Sequence, residues 1–170
     1  MLDSGLTLDV LFTLLRQGLN PDTLASEAGT LLHYAAAAGA VGAIRLLVQH
    51  GATVDFQDVG HGSAPLDLAV RYRQPAACRE LVALGANMDA RDKNRSTPLM
   101  LAAGIDESGD CVRCFLQAGA DIHAMDVMER WALDYAVTGG CLGSAKALLE
   151  GGAAVAGDAR ADRAGMMALH

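Results

Sequence analysis

The sequence contains few aromatic residues: phenylalanine, tyrosine and tryptophan together make up 4% of its 170 residues. Alanine, leucine and glycine are abundant instead. This mixture favours closely packed helices that stop at glycines, because aromatic and β-branched residues are the ones enriched in strands. Hydrophobic residues make up 52% of the chain, which is enough apolar surface to form a core. The composition predicts a folded, helix-rich chain and argues against an all-β fold.

Cysteine is also scarce. The four cysteines, at positions 78, 111, 114 and 141, are too few for a scaffold held together by disulfides. We therefore expect a reducing compartment, the cytoplasm or the nucleus.

Positive charge is in deficit, since 13 lysines and arginines face 20 aspartates and glutamates and the net charge is −7. This balance argues against nonspecific binding of a phosphate backbone or an anionic membrane by the whole chain. Residues 1–4 lack the cationic start of a secretory signal, and the longest glycine-rich apolar run, residues 34–44, is much shorter than a membrane span. We expect no direct nucleic-acid partner, no membrane insertion and a soluble monomer.

The sequence repeats itself with one period. A glycine followed by a small or apolar residue closes a leucine-rich segment at positions 18, 51, 85, 119 and 152, at spacings of 33, 34, 34 and 33. A leucine in a short turn-then-helix segment recurs at positions 32, 66, 99, 133 and 169, at spacings of 34, 33, 34 and 36. Two independent markers with one period indicate a repeat architecture.

The repeated segments read TLLHYA at 30–35, APLDLA at 64–69, TPLMLA at 97–102, WALDYA at 131–136 and MALH at 167–170. They resemble the ankyrin repeat, with its T-P-L-H-x-A start, its second helix ending L-L-x-x-G-A, and an aspartate seven residues past that glycine. Asp58, Asp92 and Asp126 match the aspartate. The resemblance implies an all-α repeat solenoid, in which helix-turn-helix pairs are joined by β-hairpin-like fingers.

The residues of one repeat support this interpretation without the family. Thr97 can cap the first free N–H groups of a helix, and Pro98 then occupies its first turn, where a missing N–H is harmless. Gly39 and Gly140 stand where the first helix must stop in a left-handed turn, and Arg73 occupies the same place in its own repeat. We divide the chain into a half repeat or cap at 1–29, repeats at 30–62, 63–95, 96–129 and 130–161, and the start of a truncated fifth at 162–170.

Candidate chemistry is sparse. Cys111 and Cys114 have a spacing that could hold a metal or form a reactive disulfide, but Cys111 falls on the apolar stripe of a second helix and no further ligand pair follows. His33, Asp67 and Asp134 share the repeat position that braces the turn, so we interpret them as structural. We predict a non-catalytic chain with no cofactor and no metal site.

The resemblance implies that a partner binds at the fingers and the exposed face of the first helices. Residues 71–95 carry a net charge of +3 while the rest of the chain carries −10, which indicates a protein or peptide partner with an acidic face; the alternative is an ordinary solvated charge cluster. The predicted contact residues, expected to form one concave strip, are Gln57, His61, Arg71, Tyr72, Arg91, Lys93, Asn94, Arg95, Met125, Met128, Arg130 and Trp131.

Departures from the repeat mark further candidates. Trp131 stands where a capping threonine belongs and Glu129 where a turn glycine belongs, so we expect the finger at 125–131 to have lost its usual turn chemistry. Its methionines and tryptophan are typical of binding hot spots, although they could simply pack against the neighbouring finger. One-residue insertions near 59–62 and 105–110 are candidates for specificity. The alternative function is a structural spacer or adaptor segment of a larger protein.

Overall fold

The computed structural model describes residues 4–26 and 29–153; the start of a fifth repeat predicted at 162–170 lies outside them. The described elements are α1 (Ser4–Arg16), β1 (Leu24–Ser26), β2 (Gly29–Thr30), α2 (Leu31–Ala37), α3 (Val41–Gln49), α4 (Pro65–Arg71), α5 (Pro75–Ala83), α6 (Pro98–Ile105), α7 (Asp110–Gln117), α8 (Ala132–Thr138) and α9 (Leu142–Glu150).

The helices form two stacked layers. The short first helices α2, α4, α6 and α8 contact one another in chain order, and the second helices α1, α3, α5, α7 and α9 do the same. Each first helix also packs against the second helix that follows it. Because the helix contacts of the described residues mainly join neighbouring pairs in the stack, the structure confirms the predicted all-α repeat solenoid.

The core follows the 33–34-residue period. The first helices bury Leu32, Leu66 and Leu99 almost completely. At the matching place the second helices bury Leu47, Leu81, Phe115 and Leu148. The recurring apolar positions thus face the neighbouring pair, where their burial stabilises the stack.

The turn between the two helices of a pair uses a left-handed residue. Gly39 and Gly140 both have φ +69°, and Arg73, at the equivalent position, has φ +55°. The position within the repeat therefore predicts the end of the first helix correctly, even in the repeat that has arginine in place of glycine. A side chain in this region strains the backbone, whereas glycine adopts it freely.

The pairs are linked by fingers, which we number 1 (residues 20–30), 2 (53–64), 3 (87–97) and 4 (121–131). Only finger 1 contains paired strands, β1 and β2, among the described residues. Fingers 2 to 4 close through two backbone hydrogen bonds each. The finger aspartate donates its N–H to the carbonyl oxygen of Ser63, Ser96 or Arg130, and its own carbonyl oxygen accepts the N–H of Gly62, Arg95 or Glu129. The aspartate and the residue that accepts its N–H are five positions apart in finger 2 and four positions apart in fingers 3 and 4, which confirms the one-residue insertion near 59–62.

Fingers 1 to 3 each have an aspartate whose carboxylate accepts a backbone N–H of the next finger. Oδ1 of Asp22 accepts the Thr53 backbone N–H at 2.8 Å, and Oδ1 of Asp55 accepts that of Asn87 at 2.9 Å. Oδ1 of Asp89 accepts the N–H of Asp121 at 3.3 Å. These contacts hold the fingers in register, so the first-helix layer presents one continuous face.

Two kinds of residue brace the start of the first helices. Nδ1 of His33 accepts the Thr30 N–H at 3.1 Å, so its Nε2 carries the proton and donates to the Ser63 carbonyl oxygen at 3.0 Å. Asp67 and Asp134 instead accept the N–H three residues earlier, each at 2.8 Å. The structural reading of all three residues agrees with these contacts.

Candidate functional site

Three adjoining grooves run along the face formed by the fingers and the first helices. Each lies between consecutive first helices: the first groove between α2 and α4, the central groove from α4 to α6, and the third groove between α6 and α8. Arg71 lines both the first and the central groove, while Leu101, Arg130 and Tyr135 line both the central and the third. The three grooves therefore adjoin one another, and we call the row that they form the channel.

The first groove is the largest, with a volume of about 490 Å³. Tyr34 of α2 and Tyr72 at the end of α4 stand exposed on its two sides, with Leu68 between them. His61 at the tip of finger 2 and Arg71 complete its polar rim. The groove can accept an apolar side chain and place a charged neighbour beside the Arg71 guanidinium.

The central groove, of about 270 Å³, is polar. Asp92 on its wall accepts the N–H groups of Asn94 and Ser96 within finger 3, both at 2.8 Å. Asp67 accepts the Ala64 N–H at its helix start, and its burial raises the pKa of its carboxyl. Both carboxylates thus hold backbone N–H groups, and with Arg71 and Arg130 they give this groove a mixed charge.

Asp126 organises the far side of the central groove. Its side chain is fully buried and its Oδ2 accepts the hydroxyl of Tyr135 at 2.7 Å and the Nε of Arg130 at 2.9 Å. Burial alone would raise the pKa of Asp126, but the hydrogen bonds from Tyr135 and from the backbone and side chain of Arg130 hold it well below its ordinary range. The Arg130 guanidinium, 4.7 Å from the Tyr135 ring centroid, also stacks on that ring. This network fixes Tyr135 and Arg130 in the wall between two grooves.

The third groove, of about 290 Å³, is mainly apolar. Leu101 and Ile105 of α6 face Tyr135 of α8 across it. The two helices come close where the Gly139 Cα faces the Gly104 carbonyl oxygen, leaving no room for a side chain at Gly139. The absence of side chains at both positions opens this groove.

The structure brings together part of the predicted contact set. His61, Arg71 and Tyr72 line the first groove, Asn94 lines the central groove, and Arg130 lines the central and third. The remaining predicted residues line none of these grooves: Gln57, Arg91, Lys93, Arg95, Met125, Met128 and Trp131.

Two of the predicted cations tie fingers together. Nη1 of Arg91 donates to the Met125 carbonyl oxygen at 2.8 Å, from finger 3 to finger 4. Nζ of Lys93 donates to the Gly60 carbonyl oxygen at 3.4 Å, from finger 3 to finger 2. Arg71 and Arg95, by contrast, are exposed and their side chains form no hydrogen bond with other described residues, although the Arg71 charge interacts with the Asp67 carboxylate. Arg71 is thus the groove cation left open for a partner.

The finger at 125–131 keeps its turn, so the expected loss of turn chemistry is wrong. Glu129 adopts φ +58°, and Oδ1 of Asp126 accepts the Met128 and Arg130 N–H groups at 2.8 and 2.9 Å. Trp131 is half-buried against the His123 ring, and its Nε1 is buried without a hydrogen-bond partner among the described residues. Met128, in contrast, is 70% exposed at the tip of the finger, so its side chain is accessible to a partner.

Sequence reasoning missed the residues at the centre of the channel. Tyr34, Leu68, Leu101 and Tyr135 occupy one position of the repeat and line the grooves. The sequence does contain a signal for them, because two repeats carry a tyrosine at this position, and the structure leaves both tyrosines exposed or half-exposed. A scan for residue type at one repeat position would have found it.

The cysteines lie outside this channel. Cys111 and Cys114 are buried on α7, and a hydrogen bond to Cys111 and burial raise the pKa of the Cys78 thiol. Among the residues that the structure describes, no three histidine, cysteine, aspartate or glutamate side chains are placed to hold a metal ion.

The described part of the chain contains no helix that is long and apolar enough to cross a membrane.

The family model for ankyrin repeats (3 copies) matches residues 3–92 and again residues 77–157. The chain belongs to the ankyrin-repeat family. Ankyrin repeats are generally protein-interaction modules, and the family is typically non-catalytic.

Similar proteins differ widely in what their names describe. "Ankyrin repeat and SOCS box protein 6" of Homo sapiens is 36% identical over 101 residues, which is 56% of this chain and 24% of that protein. "Transient receptor potential cation channel subfamily A member 1" of Drosophila melanogaster is 30% identical over 74% of this chain and 11% of that protein. "L-asparaginase" of Dirofilaria immitis is 28% identical over 76% of this chain and 22% of that protein. The chain thus spans at most about a quarter of the length of each of these proteins.

Proposed function

We propose that this chain is a non-catalytic interaction module that binds an acidic segment of a protein or peptide partner on the face of fingers 2 to 4 and the first helices. The observation that carries the proposal is the exposed guanidinium of Arg71 together with the exposed ring of Tyr72, both of which line the first groove. Arginine and tyrosine are the residue types most enriched at energetically important interface positions.

The charges of the face support an acidic partner. The exposed cations are Arg71, Arg91, Lys93, Arg95 and Arg130. On fingers 3 and 4 the exposed anions are Asp89, Asp121 and Glu129, whereas Asp92 and Asp126 are shielded and hold backbone N–H groups. A basic rim over a channel speeds the approach of an acidic ligand and disfavours basic ones.

The test is a selection of random peptides displayed on phage, carried out on the whole chain. We expect the selected peptides to be acidic and to bind an Arg71→Glu, Tyr72→Ala variant at least about tenfold more weakly, since both changes remove exposed contacts without touching the core. The matched control is Lys146→Glu, which makes the same charge change on the second-helix layer, at a side chain that is 74% exposed. Circular dichroism verifies that both variants remain helical.

Loss of binding in the groove variant alone supports the proposal. Equal binding by the wild type and the groove variant, or no selected peptide at all, overturns it. The latter results would favour the alternative function, a structural spacer or adaptor segment, which the short share of each relative's length covered by this chain supports.

A further inference from the structure

The three grooves differ in character along the channel, and their order is informative. The first groove has a tyrosine on each side, the central groove is polar with Arg71 on its wall, and the third groove is lined by Leu101, Ile105 and Tyr135. The face therefore alternates: an apolar groove, a polar groove that carries Arg71, and a second apolar groove.

The distance between the two apolar grooves follows from helix packing. The first groove lies between α2 and α4, and the third lies between α6 and α8, so these grooves are two helix spacings apart. Packed helices have axes about 8–10 Å apart, which places the two grooves about 16–20 Å apart. Arg71, on α4 and facing the central groove, lies between them.

One backbone conformation matches this spacing. A polyproline II helix has three residues per turn and rises about 3.1 Å per residue, so one turn advances about 9 Å and residues three apart point the same way. One turn of ligand then corresponds to one repeat of the channel. A β-strand fits less well, because its side chains alternate and residues three apart point in opposite directions.

We propose that the channel binds a polyproline II segment with two apolar residues six positions apart and an acidic residue midway between them. The apolar side chains occupy the first and third grooves, and the carboxylate of the central residue pairs with the Arg71 guanidinium. This inference rests on the proposed function and adds to it the spacing and chemistry of the ligand.

The exposed guanidinium of Arg71 is the reason for the acidic residue. Three carboxylates lie near Arg71, but Asp58 and Asp92 accept the N–H groups of their own fingers and Asp67 accepts that of Ala64. The Arg71 side chain is exposed and forms no hydrogen bond with the described part of the chain, although its charge interacts with the Asp67 carboxylate. It can pair with a carboxylate of a ligand, since bidentate arginine–carboxylate pairs are the strong ones.

The experiment uses fluorescein-labelled synthetic peptides and fluorescence anisotropy with the whole chain. The reference peptide has seven residues: leucine at the first and last positions, glutamate at the fourth, and proline between them. Two comparison peptides place the second leucine one position earlier or later. A fourth peptide replaces the glutamate by glutamine.

We expect the reference peptide to bind about tenfold more tightly than either shifted peptide, because a shifted leucine loses its groove. Replacing glutamate by glutamine weakens binding about tenfold to wild type and has little effect with Arg71→Gln, because the two changes remove the same contact. Thr138→Trp, which fills the third groove from an exposed position, abolishes the advantage of the reference peptide over the shifted ones.

Equal binding of the three spacings, an equal effect of the glutamine peptide on both proteins, or no binding of the reference peptide overturns this register. The proposed function is tested separately by the displayed peptides. If those peptides require Arg71 and Tyr72 but carry another spacing, the interaction function stands and only the register is wrong.

Discussion

Arg91 and Met125 are 34 positions apart in the sequence, and the Arg91 guanidinium donates to the Met125 carbonyl oxygen at 2.8 Å. The same Nη1 lies 3.3 Å from the Arg95 carbonyl oxygen of its own finger. A residue predicted from sequence as a partner contact therefore links finger 3 to finger 4. Its removal should affect stability before it affects recognition.

We expect Arg91→Ala to lower the free energy of unfolding by about 1 kcal/mol, the usual contribution of a hydrogen bond from a charged donor that is partly solvated. Lys93→Ala should lower it less, because the Nζ–Gly60 distance of 3.4 Å is at the limit of a hydrogen bond. Urea unfolding followed by circular dichroism measures both. An equal or reversed order of the two variants would contradict this assignment.

Gly139 should be intolerant of any side chain. A Cβ at this position would overlap the carbonyl oxygen of Gly104, whereas one at Gly104 would meet Tyr135 at an ordinary 3.6 Å. We expect Gly139→Ala to destabilise the chain by about 1–3 kcal/mol through overpacking of α8 against α6. Gly104→Ala is the matched control and should be neutral or slightly stabilising, because alanine favours a helix. Thermal unfolding of the two variants distinguishes these outcomes.

Arg73 occupies a left-handed position that two other repeats fill with glycine. We expect Arg73→Gly to be more stable than Arg73→Ala by up to about 1 kcal/mol, because alanine keeps the strained φ and glycine relieves it. At Arg79, an exposed residue inside α5, the order should reverse, with alanine more stable than glycine. If glycine is the weaker substitution at both positions, backbone strain at Arg73 is not significant.

The lowered pKa of Asp126 has a consequence for acid stability. The carboxyl binds protons less readily in the folded chain than in the unfolded chain, whose aspartates titrate near pH 3.9. Its stabilising contribution is thus complete above about pH 4 and is lost as the pH falls further. We expect Asp126→Asn to be less stable than wild type at pH 7, with a difference that shrinks between about pH 4 and pH 2.

Urea unfolding of wild type and Asp126→Asn at several pH values tests this. Tyr135→Phe, which removes one donor to the carboxylate, should give a smaller effect of the same sign. A constant difference between wild type and Asp126→Asn over the whole range would show that the carboxylate charge is not what stabilises the finger.

The sequence predicts the architecture well because the fold repeats a local rule. Leucines such as Leu66 and Leu99 recur at the interval of one helix pair, and the left-handed stop at Arg73 follows from register alone. Glu129 shows where residue type misleads: the turn persists without glycine because the Asp126 carboxylate holds two of its N–H groups.

The contacts of surface side chains are harder to predict, because the repeat pattern gives the position of a residue but not the direction in which its side chain points. Arg91 and Arg71 both fall at exposed repeat positions, yet the first bonds to a backbone carbonyl of the next finger while the second faces an open groove. Which carbonyl lies within reach depends on how the fingers stack. That relationship exists only once the pairs have packed.

The carboxylate ties between fingers all run in one direction, with the earlier finger accepting and the later one donating: Asp22 to Thr53, Asp55 to Asn87, and Asp89 to Asp121. Each junction thus presents the same acceptor on one side and the same donor on the other. If the one repeat between these junctions were deleted, Asp55 would face the Asp121 N–H, which Asp89 now accepts. The new junction would therefore have a matching acceptor and donor. The array is built to be lengthened or shortened by whole units, and its ligand channel would change length with it.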